Sequence, residues 1–117
     1  MNARTATQIP APFRKAIRVA DEIALRAGEL HNSLTDGQRV TVLDLRELSA
    51  LIVTVNTKRK SIVDASTGAL FFKAAHHIGK AVDASFDEDT ETMAEHLELA
   101  ADAMDEVEPH VEELFGR

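Results

Sequence analysis

Eight of the fourteen positions from Val42 to Val55 carry large aliphatic residues, and the chain then switches abruptly to Lys58-Arg59-Lys60. A stretch this apolar has to be buried, and it limits the fold to architectures with an element covered on several sides. Leu45, Leu48, Ile52 and Val55 recur at three and four residues, the spacing of one helical face. Thr41 as N-cap with Asp44 at the third helical position is a variant of the capping box. Leu43, Leu51 and Val53 make the other faces apolar as well, which predicts a buried central helix from Thr41 to Lys60. The competing reading is a strand, because Leu51 to Val55 carries β-branched residues at four of five positions. Helix is the better fit to the full segment.

Three further helices are predicted around it. After the mixed residues Met1 to Ile9, Pro10 and Pro12 prepare a first turn, and a helix runs from Ala11 to Asn32 with Phe13, Ile17, Ala20, Ile23, Ala27 and Leu30 on its apolar stripe. Asp36-Gly37 marks the turn that returns the chain antiparallel. Ser66, Thr67 and Gly68 signal a new N-terminus, and a third helix from Thr67 to Ala84 places Phe71-Phe72 at the core. Ser85 with Glu88 forms a capping box for the fourth helix. That helix has the most regular pattern of the chain: Met93, Leu97, Ala100, Met104, Val107, Val111 and Leu114 alternate steps of four and three residues, a bundle seam. Pro109 should kink it or begin a separate last turn at His110, and Gly116 should end it. The expected fold is all-α, a bundle of about four helices, with residues 1–12 as a flexible N-terminal segment and 13–117 as a single helical-bundle domain.

Composition supports this architecture. With no Trp, no Tyr and five Phe in 117 residues, the core is built from Leu, Ile, Val and Ala, which suits closely spaced helices and leaves almost no stacking platform for bases. The absence of Cys excludes a disulfide framework and thiolate chemistry. No apolar run reaches the roughly 18 residues of a bilayer span, and the N-terminus lacks the apolar core of a signal peptide. The expectation is a cytoplasmic protein without membrane contact.

Charge is divided along the chain. Residues 1–80 hold twelve Lys or Arg against seven acids, whereas residues 81–117 hold thirteen acids and Arg117. Glu91 and Glu95, Glu98 and Asp102, and Asp102 and Glu106 are like-charge pairs four residues apart on the last helix. Such a face is either solvated and partly neutralised by Arg14, Lys15 and Arg18 of the first helix, or a docking surface for a basic partner or a nucleic-acid mimic. Glu95, Glu98 and Asp102 are its candidate contact residues. Lys58, Arg59 and Lys60 either complement the dipole at the end of the central helix or, with Arg39 and Arg46, contact phosphates of RNA or single-stranded DNA.

Catalytic chemistry is hard to find. A di-iron bundle requires Glu-x-x-His, but the residues three before the five His are Gly28, Lys73, Ala74, Met93 and Val107. Glu106 and His110 can share a helical face, though Pro109 intervenes and no second pair accompanies them. Of the adjacent His76 and His77, one packed and one solvated is the ordinary arrangement. No G-x-S-x-G, phosphate loop or dinucleotide fingerprint occurs. Glu88 to Glu91 and Glu95 to Glu98 imitate half of the acidic motif of helical nucleotide pyrophosphatases, without the later Glu-x-x-Asp. A non-enzymatic protein with no cofactor and no metal is expected.

In its size, its helices and its core segment T-V-L-D-L-R-E-L-S-A-L leading into Lys58-Arg59-Lys60, the chain resembles the small helical subunits of CRISPR effector complexes. The likeness covers about one fifth of the chain. It implies a non-catalytic subunit that repeats along a guide RNA filament and supports the target strand, with other protein subunits as partners. The acidic last helix departs from that pattern, since it would repel a nucleic acid. Two functions therefore follow from the residues: a nucleic-acid complex subunit acting through its basic residues, or an acidic protein-interaction module acting through its last helix.

Overall fold

A computed structural model describes residues 9–54 and 64–116 of the chain. They form α1 (Ala11–Thr35), α2 (Val42–Val53), α3 (Ala65–Phe86), α4 (Thr90–Asp105) and α5 (Val107–Leu114), with no strand among the described residues. The protein is an all-α bundle, in which α4 and α5 are one helical arm interrupted at Glu106.

Several boundaries are local chemistry. Thr41 caps α2 with the reciprocal bonds of a capping box: its hydroxyl accepts from the Asp44 amide at 3.3 Å and the Asp44 carboxylate accepts from the Thr41 amide at 2.9 Å. α1 ends in a Schellman motif with Gly37 at φ 80° and the Gln38 amide on the Ser33 carbonyl at 2.7 Å. α3 ends in the same motif, the Asp89 amide reaching the Ala84 carbonyl at 3.0 Å, but Glu88 occupies the left-handed position at φ 56°. The capping box expected at Ser85 and Glu88 is therefore absent. Ser85 is still helical and donates its hydroxyl to the Val82 carbonyl, and the cap of α4 is Asp89, which accepts from the Thr92 amide at 3.1 Å and hydroxyl at 2.7 Å. Likewise Asp64, not the Ser66-Thr67-Gly68 cluster, caps α3.

The largest correction concerns the middle of the bundle. α4 packs along α1 on one side and along α3 on the other, and α2 leans on both α1 and α3 from the outside. The centre is thus the acidic helix, not α2. Only Leu45, Leu48 and Ile52 of α2 are buried, while Leu43 is 70% and Val53 58% exposed. α2 also stops at Val53, where the Thr54 hydroxyl bonds back to the Leu51 carbonyl at 2.7 Å. The β-branched run Ile52-Val53-Thr54 weakens helix continuation there. Val55 and Lys58-Arg59-Lys60 fall outside the described residues, and the last turn of α2 itself holds no basic residue.

Small residues let the three long helices approach. α1 buries Ala16, Ala20 and Ala27, α3 buries Ala74, Ala81 and Ala84, and α4 buries Ala100 and Ala103. Phe71, Ile23, Ile78, Leu97 and Met104 fill the spaces between them. Phe72 does not share in this and is 75% exposed. Val107 and Val111 carry the seam into α5, and Phe115 meets Phe13 edge to face at 5.0 Å, tying the end of the arm to the start of α1. Leu114 leaves the seam and is 46% exposed. Pro109 sits in the first turn of α5, where its missing donor costs nothing, and the interruption itself lies at Glu106. At the start of the chain Ile9 is buried, and Ala11 and Pro12 already belong to α1; residues 1–8 lie outside the described part.

Candidate functional site

Because both flanks of α4 are occupied, its charged residues are confined to one narrow outward stripe. Glu91, Glu95, Glu98, Asp102 and Asp105 follow steps of four and three residues and are all exposed. At 1.5 Å per residue the ridge is about 21 Å long. The residues expected to act together, Glu95, Glu98 and Asp102, form its middle. Ion pairs among the described residues are Arg26–Glu22 at 3.3 Å and Arg26–Glu47 at 3.7 Å, both remote from α4 in the sequence. Arg14, one of the expected neutralising cations, donates instead to the Ile9 carbonyl, and no ion pair joins Lys15 or Arg18 to the ridge among the described residues. The carboxylates thus repel one another along the helix with their compensation left to solvent ions.

The basic residues are not gathered in the same way. Arg39 lies in the α1–α2 link and lines a cleft of about 610 Å³ together with Leu34, Val40, Ser85, Glu88 and Met93. Arg46 is exposed on α2 and takes no part in that cleft. Lys58, Arg59 and Lys60 are outside the described residues. The cleft places Arg39 and the strained Glu88 beside the apolar Leu34, Val40 and Met93, and the Ser85 hydroxyl on its wall is committed to the Val82 carbonyl.

Two histidine arrangements were not anticipated. His77 on α3 meets His96 on α4 with Nδ1 to Nδ1 at 2.9 Å and rings stacked at 5.2 Å, while His76 is exposed. At that distance one nitrogen donates and the other accepts, so the neutral pair shares one hydrogen. Burial, then the charges of His96, His76 and Lys73, lower the His77 pKa. The sign follows directly. The unfolded chain takes up the proton near pH 6.5 while the folded chain resists it, so stability is full above about pH 6.5 and falls as pH drops below it. Thermal unfolding should show a lower Tm at about pH 5 than at about pH 7, and the double variant His77→Gln, His96→Gln should flatten that dependence. An unchanged profile would assign the acid sensitivity to other groups.

At the far end, the Ser66 hydroxyl donates to Asp64 and lies 2.9 Å from His110 Nε2. Burial pushes the Asp64 carboxyl up, but Ser66 and then Thr67 at the start of α3 outweigh it and hold the group below the usual carboxylate range. The order is wrong for a catalytic triad: the serine proton goes to the carboxylate, so His110 donates to the oxygen and does not act as its base. The group pins α5 to the N-terminus of α3. His110 is thereby engaged away from Glu106, and no cluster of three His, Asp or Glu suited to a metal ion occurs among the described residues. None of the described helices is long and apolar enough to cross a membrane.

No family model, no curated protein and no solved structure matches the chain.

Proposed function

We propose that the protein is a non-catalytic interaction module whose working surface is the acidic ridge of α4, and that its partner is a basic protein segment. The observation that supports this most is the pairing of rigidity with unrelieved charge. α4 is the best-packed helix of the bundle, and yet Glu91, Glu95, Glu98, Asp102 and Asp105 point outward with no cation bonded to them among the described residues. Carboxylates held in place on a rigid helix lose little freedom when they bind, and their common field steers a cationic partner in a salt-dependent way.

The test uses a Lys/Arg-rich peptide and single-stranded RNA as probes. The triple variant Glu95→Gln, Glu98→Gln, Asp102→Asn should weaken peptide binding by about tenfold at low salt. Neutralising Asp21, Glu29 and Asp36, equal in number but off the ridge, should change it far less. Equal losses from the two triple variants would reduce the effect to net charge and remove the ridge from the mechanism.

The helix-only architecture and the exposed Arg39 and Arg46 favour a second reading, the nucleic-acid complex subunit implied by the CRISPR resemblance. In that reading Lys58, Arg59 and Lys60 join those two arginines on phosphates. Binding of the RNA probe with a log–log salt slope of about −0.7 per contact, flattened by Ala at the three basic positions, would replace the acidic-module reading.

A further inference from the structure

α3 carries two seams. The inner one, Thr67, Phe71, Ala74, Ile78 and Ala81, faces the bundle. The outer one lies about 120° around the helix from the middle of the inner one and runs through Phe72, Gly79 and Phe86. Phe72 is 75% and Phe86 69% exposed, two of the five Phe in the chain. Single exposed apolar residues are ordinary, but these stand fourteen residues apart on one line, roughly 21 Å along the axis and roughly 40° around it. Gly79 is midway between them in both respects. A glycine in mid-helix lowers helix stability, and nothing inside the protomer requires it: a Cβ built there meets no atom within 4 Å. Gly28 in α1 is also unopposed, but no symmetric aromatic pair flanks it.

We propose that the outer face of α3 binds a second copy of this chain, antiparallel, with the two-fold axis passing beside Gly79. An isologous contact requires a surface complementary to itself, and this one is. Antiparallel about Gly79, Phe72 of one protomer lies against the partner's Phe86, and the reverse contact follows by symmetry. The paired glycines let the two backbones come close at the centre, where any side chain would hold them apart. Charge has the same register. Lys73 is six residues before Gly79, and Asp83 and Asp87 are four and eight after it, so Lys73 falls between the partner's Asp83 and the partner's Asp87, within about 3 Å of each along the axis. The acids are on the same flank of the helix as Lys73, the flank that a two-fold brings together. The acidic ridge of α4 is a different surface and stays open to its basic partner.

Sedimentation velocity on the full chain should give a species of twice 12.8 kDa at high protein concentration. Gly79→Leu should return it to the monomer while circular dichroism shows equal or greater helicity, since the protomer has room for the side chain. Lys73→Glu should raise the dissociation constant at least tenfold, and adding Asp83→Lys and Asp87→Lys to it should restore the dimer by exchanging the signs. A wild-type chain that stays monomeric up to its solubility limit, or a dimer indifferent to Gly79→Leu, would overturn the proposal, as would failure of the charge exchange to restore association.

Discussion

Phe71→Ala is expected to lower the unfolding free energy by about 3 to 5 kcal/mol, while Phe72→Ala, one residue away, should change it by less than about 0.5 kcal/mol. Phe71 is completely buried between α3 and the rest of the core and is among the largest side chains there. Phe72 is about 100° further around the same helix and is 75% exposed to solvent. For a domain of ordinary stability, about 5 to 15 kcal/mol, the first variant would sit near its unfolding threshold at room temperature. Urea titrations of both variants in dilute protein, where association does not contribute, measure the difference. If the two cost the same, the inner and outer faces of α3 have been confused.

Leu48→Ala should cost about 2 to 5 kcal/mol, because Leu48, Leu45 and Ile52 are the buried residues by which α2 is held to the bundle. Leu43→Ala, on the exposed side of that helix, should be nearly silent. The position of α2 outside the α1–α4–α3 layer adds a dynamic expectation. Its amides should exchange with solvent through local openings well before those of α4, whose two sides are covered. Slower exchange in α2 than in α4 would restore α2 to the centre, where its hydropathy first placed it.

The ridge on α4 was legible in advance because like charges at three and four residues must share a helical face. Its lack of neutralising partners was not, since that depends on where α1 directs Arg14, Lys15 and Arg18. Nor does the sequence bring Arg39 to a cleft with Glu88, or His77 to His96. Each of these pairs is separated along the chain and meets only through the packing of different helices. A half-buried His on each of two facing helices was the available signal, and it becomes readable only once the faces are assigned.

The sequence by itself determined the helices and several of their ends: Thr41 with Asp44, Asp36-Gly37 and Gly116 act within about four residues, satisfying backbone groups that no distant contact can reach. It also determined the seam from Met93 to Val111, since a period of three and four residues allows only one buried face. Which helix occupies the middle was decided by tertiary structure alone. Hydropathy favours α2, rich in Leu, Ile and Val, over α4, which carries five acids in 16 residues. Centrality depends instead on how many sides a helix can offer to close neighbours, and Ala100 and Ala103 with Met93, Leu97 and Met104 let α4 receive α1 and α3 together. Alanine adds little to an apolar average but permits the shortest distance between helix axes, which is why the most acidic helix lies at the centre and carries its charge on the one side left to water.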